Sequence, residues 1–90
     1  MKNEFGEEIS QKQLEDFVDR IRDLDDREID RLWKEIGFVV SDHADDLKAL
    51  RWKDIQNIRE NRESAKIVIG NLLFETPVKK FRSKLKEIED

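Results

Sequence analysis

The chain has 90 residues, of which 44% are Asp, Glu, Lys or Arg and 37% are hydrophobic, and its formal net charge is −4. That length supports one domain, and no apolar stretch approaches the roughly 20 residues a membrane-spanning helix needs. With no cysteine, disulfides, thiolate metal sites and cysteine nucleophiles are excluded, and one histidine with no tyrosine thins the remaining catalytic inventory.

Met1–Glu8 is acidic and lacks an apolar run, so it does not read as a secretory leader and is expected to fray. Ser10-Gln11-Lys12-Gln13 fits a capping box, a hydroxyl followed three residues later by an amide. Behind it Leu14, Phe17, Val18, Ile21 and Leu24 recur at helical spacing and form one apolar stripe. Asp25-Asp26-Arg27-Glu28 offers a second helix start, with Asp as N-cap and Glu at N3. Ile29, Leu32, Trp33 and Ile36 continue it to Gly37, where a left-handed C-cap belongs.

Phe38-Val39-Val40 reads as an apolar connector tucked into the core. Ser41 then looks like an N-cap, because Asp42, Asp45 and Asp46 crowd the next turn and suit the positive end of a helix. Ala44, Leu47 and Leu50 form a stripe, and a second stripe runs through Ile55, Ile58, Arg62, Ala65, Ile69 and Leu72. The two stripes differ in phase, which predicts a break near Arg51–Asp54. Ile67–Phe74 is apolar all round, so a helix there must be covered on most sides, by the bundle or by a second chain. The competing reading is a β-hairpin turning at Gly70-Asn71. Thr76-Pro77 restarts the chain as N-cap and N1, and Val78, Phe81, Leu85 and Ile88 give the last helix one apolar face. The expected architecture is a compact all-α bundle in a single domain, of four helices or of five if the long segment breaks.

Charge is unevenly placed. Residues 1–47 carry seven cations against fifteen acids, a net −8, and residues 48–90 carry eleven cations against seven acids, a net +4. Such asymmetry points either to a polar partner or to two halves that neutralise each other on packing. Asp42-His43-Ala44-Asp45-Asp46 could gather an imidazole and carboxylates, but acids in a first turn answer the helix dipole, so no metal is assigned. There is no phosphate-binding glycine loop and no nucleophile–base pattern, so neither an enzyme nor a cofactor or small-molecule substrate is expected.

The function expected is a cytoplasmic, non-enzymatic protein-binding module, an adaptor, inhibitor or regulatory subunit, that self-associates as a homodimer through the apolar surface of Ile67–Phe74 and the seam above it. Its contact residues are read as Trp52, Arg62, Ile69, Leu72, Leu73 and Phe74, with Asp25, Asp26 and Asp30 offered to a basic partner. Arg62 stands where the seam calls for an apolar residue, either to fix register through a partner acid or to snorkel to solvent. The alternative is a nucleic-acid-binding face built from Arg51, Lys53, Arg59, Lys66, Lys79, Lys80, Arg82 and Lys84.

Overall fold

The computed structural model describes residues 1–43 and 49–90. Among these described residues five helices, α1 (Gln11–Arg22), α2 (Asp26–Glu35), α3 (Trp52–Glu60), α4 (Arg62–Phe74) and α5 (Val78–Glu89), enclose an apolar core. The all-α bundle read from the sequence is present in its five-helix form. No helix among the described residues is long and apolar enough to cross a membrane.

The first two helices begin and end where the local chemistry directs. Ser10 Oγ accepts the N–H of Gln13 at 3.0 Å and starts α1. Asp25 and Glu28 complete a reciprocal box, with Glu28 N–H donating to Asp25 Oδ1 at 2.8 Å and Asp25 N–H to Glu28 Oε1 at 2.9 Å. Gly37, at φ 98°, terminates α2, and Phe38 N–H reaches back to Trp33 O at 2.8 Å.

The next segment departs from expectation. Val39–Val40 (β1) pairs in parallel with Ala49–Leu50 (β2), and Ser41 N–H extends the pairing to Leu50 O at 3.0 Å. Leu50 therefore lies in a strand and not on a helix running from Asp42, because its main-chain carbonyl serves Ser41. Ala44 and Leu47, the other members of that stripe, lie outside the described residues. The break expected near Arg51–Asp54 is there: α3 opens at Trp52. Its first turn is closed by two carboxylates, Asp54 Oδ2 on Arg51 N–H at 3.0 Å and Asp42 Oδ1 on Trp52 N–H at 2.7 Å.

A further break divides the stripe that looked continuous. Asn61 is fully extended (φ −164°, ψ 167°), ends α3 and caps α4 by accepting Ser64 N–H at 2.8 Å. Asparagine competes with helix by bonding nearby main chain, and here it does so in mid-seam. Ile67–Phe74 is helical, so the hairpin reading falls. The bundle itself covers most of the run, with α4 packed between α1 and α3. Ile69, Leu72 and Leu73 are buried, while Ile67 and Phe74 remain exposed.

The N-terminal segment, expected to fray, is instead a hook folded onto the bundle. Lys2 bridges Glu8, Ile9 N–H donates to Met1 O at 2.7 Å, and Glu4 N–H donates to Phe74 O at 3.0 Å. Ile9 is 1% exposed and Asn3 is 5% exposed, so the hook contributes an apolar residue to the core and buries a polar one that organises its own turn. Helix α5 starts one residue later than Thr76-Pro77 suggests, with Pro77 itself at the N-cap. It packs on α2, and Phe81 meets Phe17 of α1 edge to face at 4.8 Å between ring centroids.

Candidate functional site

An open groove of about 910 Å³ lies between α2, the ends of the two short strands and the start of α3. Its floor is apolar, formed by Leu50 and Ile55, both buried, and by half-buried Val40. The strand pairing sets this floor, since Leu50 is fixed two residues before the chain turns into α3 as Trp52. The rim holds five carboxylates, Asp25, Asp26, Glu28, Asp30 and Asp42, against two guanidinium groups, Arg27 and Arg31. Trp52 stands at the edge, 54% exposed. It also borders a second hollow of about 450 Å³ with Asp26, Ile55 and Arg59, so the indole forms a ridge between the two.

Four of the residues read from the sequence as contacts therefore come together: Trp52, Asp25, Asp26 and Asp30. The remaining five do not join them. Ile69, Leu72 and Leu73 are core residues at 0–1% exposure and offer nothing to a partner, because helix packing has turned them inward. Phe74 is exposed but sits at the end of α4, where its carbonyl accepts from the N-terminal hook. Arg62 opens α4 on the surface and pairs with Asp19 of α1 at 3.1 Å, so it is a solvent-facing ion pair and not a register key inside the seam. Asp42, Leu50 and Ile55 were not read as contacts. They share the groove through tertiary pairing, which leaves no local signature in the sequence.

The charge asymmetry has an intramolecular outlet. Lys66 pairs with Glu15 at 3.1 Å, Arg62 with Asp19, and Arg59 with Asp26 at 3.1 Å, each joining a cation of the basic half to an acid of the acidic half. Arg20 reverses the sense by forking onto Glu89, with Nε to Oε2 at 2.9 Å. Hydrogen bonding to Glu89 raises the Arg20 pKa, and the same contact holds the Glu89 carboxyl below its ordinary value. Hydrogen bonds to Glu15 and then Glu63 raise the Lys66 ammonium likewise.

The proposed nucleic-acid face is divided by these contacts. Arg59 also donates to the carbonyls of Arg22 and Leu24, closing the end of α1. Arg51 lies 3.9 Å from Asp54, and Lys84 lies 3.5 Å from Glu87. Lys53 is exposed on α3, and Lys79, Lys80 and Arg82 point outward from α5.

Of the histidine cluster, Asp45 and Asp46 lie outside the described residues. His43 is exposed, and its main-chain N–H donates to Ser41 Oγ at 3.2 Å. Chemically the groove offers an apolar floor, an exposed indole and an excess of negative charge, an arrangement for holding a side chain or segment. Compared with protein-family models, with curated proteins and with solved structures, the chain matches none of them.

Proposed function

We propose that this protein is a non-enzymatic protein-binding module that docks its partner in the groove beside Trp52. The observation that carries the reading is the exposed indole over an apolar floor, since a large aromatic with room beside it is the side chain most often found at the energetic centre of an interface. The acidic excess on the rim favours a basic partner and discourages an acidic one.

The test is a photo-cross-linker at Gln56, an exposed position in the second hollow beside Trp52. The wild type is expected to capture a discrete partner, Trp52→Ala to lose it, and Ile67→Ser and Phe74→Ser to retain it. Undiminished capture by Trp52→Ala would remove the groove from consideration.

A nucleic-acid reading keeps one supporting observation, the outward row Lys79, Lys80 and Arg82 on α5. It predicts a gel shift that weakens steeply with salt and is lost in Lys80→Glu. Failure to shift duplex DNA or RNA at low salt ends it.

A further inference from the structure

Trp52 is an exposed aromatic that shares its groove with carboxylates, and that pairing selects among basic side chains. An indole face attracts cations, most favourably a planar guanidinium that can stack on it. A carboxylate takes the same group through a two-pronged fork, whereas an ammonium is a hydrated point charge with no fork. The apolar floor of Leu50 and Ile55 suits the methylene stem that carries such a head. A guanidinium already meets one of these carboxylates in the second hollow, which the same indole borders: Arg59 donates through Nε at 3.2 Å and Nη2 at 3.1 Å to the single oxygen Asp26 Oδ1.

Within the larger groove the rim acids are not equally available. Asp25 and Glu28 are spent on the capping box of α2, Asp42 on the N–H of Trp52, and Asp26 on Arg59. Among the described residues Asp30 pairs with Lys34 alone, at 2.9 Å, four residues along the same helix, and the Lys34 side chain is 62% exposed. A surface pair of that kind contributes little and exchanges readily.

Resting on the docking role given above, we infer that the groove receives an arginine of the partner, its guanidinium stacked on the Trp52 indole and forked to Asp30. The occupant is a segment of another protein and not a second copy. The outward cations of this chain's α5 lie on the side opposite its apolar residues, Val78, Phe81, Leu85 and Ile88, which are buried in its own core and cannot fill the floor.

The probe is a set of three labelled peptides of one leucine-containing sequence, carrying arginine, lysine or citrulline at the same positions. Fluorescence anisotropy against the full chain is expected to show the arginine peptide binding roughly tenfold tighter than the citrulline one, with lysine between. Trp52→Ala should abolish the preference, Trp52→Phe keep part of it, and Asp30→Asn reduce it several-fold, with circular dichroism and Tm unchanged in all three. Equal binding of the citrulline peptide overturns the inference and leaves the docking role standing, since the groove would then read apolar shape alone. An arginine preference that survives Trp52→Ala, or no binding of any peptide to the wild type, also overturns it. The docking role itself is decided independently by the Gln56 cross-link.

Discussion

Glu7 Oε1 accepts the main-chain N–H of Val78 at 3.0 Å, so the N-terminal hook closes the first turn of the last helix. Pro77, the N-cap residue, has no side chain able to accept a hydrogen bond. Thr76 lies one position too early, and its buried Oγ1 has no hydrogen-bond partner among the described residues. Asn3 aims the carboxylate: its Oδ1 accepts the N–H of Phe5 at 3.1 Å and of Glu7 at 2.9 Å, while its Nδ2 donates to Glu7 Oε1 at 2.9 Å. The bond from Asn3, and after it the bond from Val78, holds the Glu7 carboxyl below its ordinary value.

A depressed carboxyl pKa sets the sign of a pH effect. The charged form is favoured in the folded state, so the stabilisation is fully present above the ordinary value of 4.5 and is lost as pH falls through the lower folded value. Thermal melts of wild type and Glu7→Gln should therefore differ at neutral pH, with the variant melting lower. The gap should close as pH falls below that ordinary value. Glu89 titrates in the same direction in both proteins and drops out of the comparison. A gap that persists unchanged into acid would mean that the carboxylate charge is not what holds the hook.

Two neighbours in the apolar run of α4 should respond in opposite ways to truncation. Leu73 is fully buried, so Leu73→Ala loses the transfer energy of its side chain and leaves a cavity, costing about 2–5 kcal/mol. Ile67 is 68% exposed, and Ile67→Ala should stay within about 0.5 kcal/mol. Urea denaturation with unchanged m-values measures both. Similar costs at the two positions would contradict the orientation of α4 in the bundle.

What the sequence made legible follows a physical line. Helix starts capped by their own first turn, Ser10 with Gln13 and Asp25 with Glu28, could be read directly because both partners lie within four residues. The starts of α3 and α5 were legible from the phase change near Arg51–Asp54 and, to within a residue, from Thr76-Pro77, but their distant caps, Asp42 on Trp52 N–H and Glu7 on Val78 N–H, were not, since the donor and acceptor meet only after folding. The stripe from Ile55 to Leu72 predicted the right buried residues, Arg62 apart, yet hid the joint at Asn61, because the four-residue step from Ile58 to Arg62 spans it without a change of phase. In the groove, Trp52 stood out by its charged flanks and Asp25, Asp26 and Asp30 by their density. Their meeting depends on the pairing of Val40 with Leu50, a contact that periodicity does not encode.

Asn61 gives that joint a measurable energy. Its side chain is the cap of α4, and its extended backbone separates two helices that pack on each other. Asn61→Ala removes the acceptor for Ser64 N–H and favours continuing the helix through the joint, so about 1 kcal/mol should be lost. Asn61→Asp retains the acceptor and should remain within a few tenths of the wild type. Equal stability of the Ala variant in chemical denaturation would show that the joint is held by packing alone.

Arg59 differs from the other cations of the basic half because it serves main chain as well as a carboxylate. Its guanidinium donates to Arg22 O at 2.8 Å, to Leu24 O and to Asp26 Oδ1, tying the end of α1 and the first turn of α2 to α3. Arg59→Lys preserves the charge but cannot reach three acceptors with one fixed fork, so about 1–2 kcal/mol should be lost in urea denaturation. Arg62 faces Asp19 on the open surface, with side chains 47% and 58% exposed. A double-mutant cycle on that pair should give a coupling below about 1 kcal/mol that shrinks in high salt. If Arg59→Lys proves no costlier than Arg62→Lys, the carbonyl contacts add nothing to the ion pair, and the two positions are equivalent surface charges.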